Sequence, residues 1–262
     1  MKDYKRVSIL LVITCLVTVM AVSAARRAQN QNRVSDSKDE KIKERLSKLP
    51  IVEYDAQEPL DPEKLNARRQ KGKKFDKARS PIDPSSKMVQ ASIHNDWEWG
   101  LSSALPVAQS STIFIGDVID SKAFLSNDKT GVYSEFTVRV VELFKSDDYE
   151  PLTTGNSVAI ERQGGRVRTP SGHIQSYTIS GQGTPEVGKR YLFFLGYNPR
   201  EASTINVTEP KEMSRNILTA YELREGRVFP LDNAGGRDFK AYSGADLTSF
   251  LNDVRRALTN PS

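Results

Sequence analysis

Between Ser111 and Leu231 the chain alternates apolar and polar residues at period two, broken by turn residues, and this confines the region to β-structure. VYSEFTVRVVELF at 132–144 is the strongest instance, with Phe136, Val138 and Val140 on one face and Glu135, Thr137 and Arg139 on the other. STIFIGDVID at 111–120 precedes it, and the intervening Ser126-Asn127-Asp128-Lys129-Thr130-Gly131 carries turn chemistry, so the two predict a hairpin. SVAIERQGGRVRT at 157–169 predicts a second hairpin about Gly164-Gly165. In that register Val158, Ile160 and Val167 point inward, and Glu161 faces Arg168 on the outer side. HIQSYTIS continues the sheet, and KRYLFFLGY at 189–197 is apolar on both faces, as a central or ring-closing strand must be. TINVT (204–208), LTAYELR (218–224) and RVFPL (227–231) add further strands, the last two joined at Glu225-Gly226. Leu247, Phe250, Leu251, Val254 and Leu258 then recur at helical spacing, and Ser243 with Asp246 forms a capping box. The expected fold is mainly β, a small antiparallel barrel or sandwich, with a C-terminal helix over about 244–259 lying on the sheet.

What precedes this region is different in kind. Lys2, Lys5 and Arg6 lead into an uncharged run over 7–25, which reads as a hydrophobic N-terminal helix and an export element. Val22-Ser23-Ala24-Ala25 suits a signal peptidase, whereas the length of the run and Arg26-Arg27 at its end suit a transmembrane anchor. Both remain open, and both place the protein beyond the cytoplasmic membrane, periplasmic or extracellular. The single cysteine, Cys15, lies inside this run, so no internal disulfide and no Cys-rich metal site can form. Residues 26–90 hold 17 Lys+Arg and 11 Asp+Glu with five prolines, and are expected to be a charged, mostly disordered linker. Within it Asp61-Pro62-Glu63 predicts a helix start, running to about Lys77. The net charge of +5 divides into +2 for residues 1–25, +6 for 26–90, and 18 minus 21, or −3, for the domain at 91–262.

The stretch STIFIGDVIDSKAFLSNDKTGVYSEFTVRVVELFKSD, with SVAIERQGG and VGKRYLFFL after it, resembles a pattern of uncharacterised exported bacterial proteins. More distantly its strand order is similar to the OB-like barrels of netrin-type and tissue-inhibitor-of-metalloproteinase-type domains. The resemblance covers roughly 111–197 and implies an OB-like barrel. Its residues occupy core and turn positions, so it speaks to fold and leaves activity open. Those inhibitor barrels bind a protease metal through an N-terminal cysteine and are tied by disulfides; this chain has neither at any matching position, and protease inhibition does not carry over.

Few residues suggest chemistry. G-x-S-x-G, H-E-x-x-H, Walker A and EF-hand patterns are absent, and SGQGTPEVG at 180–188 reads as an inter-strand loop. Trp97 and Trp99, within His94-Asn95-Asp96-Trp97-Glu98-Trp99, could stack a sugar ring or grip a cation, or plug the end of a barrel. Arg162, Arg166 and Arg168 around the glycine pair could receive an anion, or simply charge a hairpin edge. These five are the candidate ligand-binding residues. No cofactor and no metal site is expected. The expected function is a non-enzymatic extracytoplasmic binding or interaction domain, with a protein or cell-envelope polymer as partner and an anionic membrane surface facing the basic linker. The competing expectation is an envelope hydrolase using His173, or Asp96 and Glu98. Nucleic acid is disfavoured, because residues 91–262 are net acidic.

Overall fold

In the computed structural model the alternating segments become strands. β1 spans Ile51–Glu53, β2 Gln90–Ile93, β3 Thr112–Leu125, β4 Val132–Lys145, β5 Ser157–Gln163 and β6 Gly165–Arg168. β7 spans Ile174–Ile179, β8 Arg190–Tyr197, β9 Arg215–Arg224, β10 Arg227–Pro230 and β11 Ala245–Asp246. Helix α1 covers Pro62–Lys73, a 3-10 turn covers Asp238–Tyr242, and helix α2 covers Leu247–Thr259. The structure describes residues 40, 43–77, 81–85, 90–93, 101, 103–148, 150–197, 215–233 and 238–260. The hydrophobic run at 7–25 and the expected strand at 204–208 lie outside them. No helix among the described residues is long and apolar enough to cross a membrane. The chain divides into two units, Met1–Lys48 and Leu49–Ser262. Residues 43–47 of the first are helical, with Lys48 and Glu44 paired at 3.2 Å.

The second unit carries both sheets. One has the order β1-β6-β7-β2, the other β11-β10-β9-β5-β4-β3-β8. In the larger sheet β8 also pairs with β9, so β3, β4, β5, β9 and β8 form a closed hydrogen-bonded ring. β8 is antiparallel to both β3 and β9, which explains why its residues are apolar on both faces. Tyr191, Phe193 and Leu195 fill the ring together with Phe114, Phe136, Val138, Val140 and Ile160. Leu192 and Phe194 face the other way, into a cluster with Tyr221, Phe239, Phe250 and Val254 beneath α2. The apolar stripe of α2 is therefore buried on the sheet, as its spacing requires. Its cap differs from the expected one. Asp246 is itself the N-cap, accepting from Ser249 N at 2.9 Å, because pairing of Arg227 and Val228 with Asp246 and Ala245 keeps those two residues extended until Leu247.

The ring closes at a thin seam. β5 and β9 are parallel and share only two residue pairs, Ile160 with Arg215 and Glu161 with Asn216. Buried ion pairs brace the seam. Arg162 of β5 reaches Asp232 at 2.9 Å, and that carboxylate also accepts from Thr219 Oγ1 and Gly183 N, each at 2.8 Å. Arg215 of β9 reaches Asp147 at 3.1 Å, which accepts from Thr112 Oγ1 at 3.0 Å, and it also donates to the side chain and backbone of Glu150. Each brace is an arginine on a seam strand, an aspartate on a loop, and a threonine on a ring strand.

One pairing expectation is revised. The β3–β4 hairpin forms, with three register shifts along its length, but 157–169 is no hairpin. Gly164 and Gly165, at φ +115 and +151, turn the chain out of the larger sheet into the smaller one, so β5 pairs with β4 while β6 pairs with β7 and β1. A Cβ on Gly165 would stand 2.9 Å from Val132 Cγ1, so the corner has neither the torsional freedom nor the room for a side chain. The unit that carries the sheets begins at Leu49 and so takes in described parts of the charged segment at 26–90. Charge and scarce apolar residues made 26–90 read as a linker. β1 nevertheless joins β6 through backbone hydrogen bonds, which need no apolar side chain, and α1 docks by charge.

Candidate functional site

Of the expected site residues, the structure places the three arginines, and they do not come together. Trp97, Trp99, His94, Asp96 and Glu98 lie outside the described residues. The three arginines diverge because the corner puts them on different sheets. Arg162 shares the inward parity of Val158 and Ile160 and is buried against Asp232. Arg166 donates Nε to Leu49 O at 2.8 Å, and Arg168 is exposed and paired with Glu53 at 2.6 Å. Glu161 does not meet Arg168 at all. His173 is exposed at the start of β7, its carbonyl accepting from Thr169 N at 2.9 Å, while Ser171 and Thr169 hydroxyls bond each other at 2.8 Å and Ser176 is buried within the strand. Among the described residues no group of three or more His, Cys, Asp or Glu could hold a metal ion. An indentation beside Gly131, Gln163, Gly164 and Tyr177 has a cavity volume of about 10 Å³, room for a water molecule and far short of the ~300–1,000 Å³ usual for ligand pockets.

The structure instead builds a site on the outer face of β3, β4 and β5. Alternation points Tyr133, Glu135 and Glu161 away from the ring interior, and pairing sets Glu135 directly opposite Glu161. Two carboxylates in register on adjacent strands repel and need a counterion between them. Phe124 of β3 sits opposite Tyr133 and extends the acidic pair into an aromatic floor. Four side chains from three neighbouring strands thus make an acidic and aromatic seat for cations.

Helix α1 occupies it. Asp61 caps the helix by accepting from Glu63 N at 2.9 Å, and Pro62 supplies the first turn, as the sequence predicts. Its sequence PEKLNARRQKGK has Leu65 as its sole large apolar side chain, so no apolar stripe can drive docking. Charge does so. Lys71 Nζ lies 3.1 Å from Glu135 and 3.4 Å from Glu161, and Lys74 Nζ lies 3.5 Å from Glu161, which is only 1 % exposed. The Arg68 guanidinium lies 4.1 Å from the Phe124 ring centre and 4.9 Å from that of Tyr133. Phe75, just past the helix, stacks on Tyr133 at 4.3 Å. Gly72 lets the helix approach the β3–β4 loop, for a Cβ there would stand 2.4 Å from Asn127 Oδ1, and Asn127 Nδ2 donates to Arg69 O at 2.7 Å.

Titration reflects the same geometry. Burial works against the Lys71 ammonium, but Glu135 and Glu161 outweigh it and hold its pKa above the usual lysine value. For Arg68 burial dominates and lowers the pKa despite the same carboxylates, although an arginine remains charged. The fit is incomplete, because Arg68 Nη1 and Tyr133 Oη are buried without a hydrogen-bond partner. The sequence carried one signal for the seat: Arg68, Lys71 and Phe75 recur at i, i+3 and i+7 on one helix face. No family model, curated protein or solved structure matches the chain.

Proposed function

We propose that this is an exported, non-enzymatic binding domain, carried across the cytoplasmic membrane by residues 7–25, whose ring is an OB-like barrel. The barrel reading is supported by the closure of five strands in the order β3-β4-β5-β9-β8, with the β5–β9 contact parallel. OB-type barrels are five-stranded and bind through the outer surface of their strands and adjoining loops. The observation that carries the binding function is the in-register Glu135–Glu161 pair beside Phe124 and Tyr133, a surface that already recognises cationic side chains. The buried arginines of the interior, by contrast, are engaged in the braces of the seam. Partner classes that suit such a surface are a protein or a charged envelope polymer. Cell fractionation of the native host with sequencing of the mature N-terminus, alongside a hydrolase substrate panel, tests this reading. Recovery in the envelope or medium without turnover is expected. Recovery in the cytoplasm, or a turnover that His173→Ala abolishes while the fold persists, overturns it.

A further inference from the structure

We infer that α1 is a displaceable intramolecular occupant of the acidic and aromatic seat, and that the seat's partner in trans is a basic polypeptide segment. This rests on the binding-domain reading above and names the partner's chemistry.

The seat requires a cation whoever supplies it. Glu135 and Glu161 are fixed opposite each other by strand register, independently of α1, and removing α1 would leave like charges side by side with Glu161 no longer covered. The floor is equally generic toward cations, because the faces of Phe124 and Tyr133 accept a guanidinium from any chain that presents one. The seat therefore specifies a pattern: an arginine over the aromatics and a lysine between the carboxylates, three residues apart on a helix.

α1 meets that pattern without the hallmarks of a permanent core element. Its docking combines ion pairs and cation–π contacts, which salt screens, with a single aromatic stack of Phe75 on Tyr133 and hydrogen bonds at Arg69 O and Leu125 O, and the helix itself brings no apolar stripe. Two polar atoms at this interface, Arg68 Nη1 and Tyr133 Oη, stay buried without a hydrogen-bond partner, so a better occupant has free energy to gain. In particular, the Tyr133 hydroxyl has no acceptor from α1, and a partner segment that offers a carbonyl or carboxylate there would add a hydrogen bond. A covered seat also lowers the apparent affinity for any external segment by the fraction of time it stands open.

The test is competition on the full-length chain. The probe is a labelled peptide with the sequence of residues 60–77, followed by fluorescence anisotropy at low salt and again at 0.5 M NaCl. A control peptide carries Gln in place of Arg68, Lys71 and Lys74. Lys71→Gln removes the cation between the carboxylates and should raise the affinity for the probe at least ~10-fold over wild type. Adding Glu135→Gln should remove that gain, as should high salt or the control peptide. Urea midpoints of each variant establish folding. If Lys71→Gln does not fold, Lys74→Gln carries the test, since it removes the second cation held by Glu161 while leaving Lys71 in place. Probe affinity unchanged from wild type, affinity indifferent to Glu135→Gln, or equal binding of the control peptide overturns the inference. So does conversion of the loosened variant to a dimer, which would make a second copy's α1 the occupant. Any of these in a chain still exported and without turnover defeats the inference alone; turnover or cytoplasmic location defeats the functional reading while leaving the peptide result standing.

Discussion

Removing Asp232 should unfasten one brace of the ring. Its carboxylate is fully buried with Arg162, whose side chain is 2 % exposed, and it holds the Thr219 hydroxyl and the Gly183 amide as well. Asp232→Ala leaves a buried guanidinium without its carboxylate and strands two further donors. Breaking a buried pair from one side typically costs 3–5 kcal/mol, and an orphaned donor about 1–3, with partial overlap because all three share one cavity. We expect a loss of about 4 kcal/mol. At a urea slope of ~2 kcal/mol per molar this lowers the unfolding midpoint by about 2 M, read by far-ultraviolet circular dichroism. Asp232→Asn, whose single amide oxygen can still accept at only one of the two oxygen positions used by Thr219 and Gly183, should fall between wild type and Asp232→Ala. In the double variant Arg162→Met/Asp232→Leu the charges disappear together, and it should recover the part of the loss due to the unpaired guanidinium, with the Thr219 and Gly183 donors still stranded. A midpoint for Asp232→Ala within about 0.3 M of wild type, or a double variant no better than the single, would refute the claim that this pair holds the seam.

Two other outcomes follow from the same coordinates. Phe193→Ala empties the middle of the ring, where the side chain is wholly buried against Phe114 and Tyr191, and should cost about 3–5 kcal/mol by the same urea assay. At Asp117, the hydrogen bond from Arg190 and then that from Arg139 outweigh partial burial and hold the carboxyl below its ordinary value of 3.8. Because the folded value is depressed, this stabilisation is fully present above pH 3.8 and is lost as pH falls through the folded value. Wild type should thus lose more stability than Asp117→Asn on acidification below 3.8, and parallel acid titrations would contradict the assignment.

The elements that pattern specifies were legible in the sequence. β3 and β4 are there because Phe136, Val138 and Val140 demand one face and a polar loop joins the strands. β8 is there because nothing in its core is polar, and α2 because Phe250 and Val254 repeat at helical spacing. What pattern could not supply was the partner of each strand. Gly164 and Gly165 allow a tight hairpin and an inter-sheet corner equally well, and only the pairing of β6 with β7 and β1 decides between them. That one choice separated Arg162 from Arg166 and Arg168 and dissolved the expected anion site. The cation seat stayed hidden for a related reason. Glu161 does point outward as its parity requires, but outward is read as solvated unless something covers it, and the cover is a segment whose composition suggested no folded structure. The −3 of residues 91–262 and the +6 of residues 26–90 are in part the two sides of that contact.

The clasp also sets an order of assembly. α1 precedes its carboxylate partners by 64 residues at Glu135 and 87 at Glu161, so in a chain that emerges from its N-terminus the helix exists long before its seat. At twelve residues and without an apolar stripe, its local stability in water is marginal. The β3–β4 hairpin can form from neighbouring residues, β5 must then align beside β4 to complete the carboxylate pair, and only afterwards can Lys71 and Lys74 be received. Helix α1 is thereby among the last elements to settle, and for that whole interval the acidic face of the hairpin stands open to any basic segment nearby.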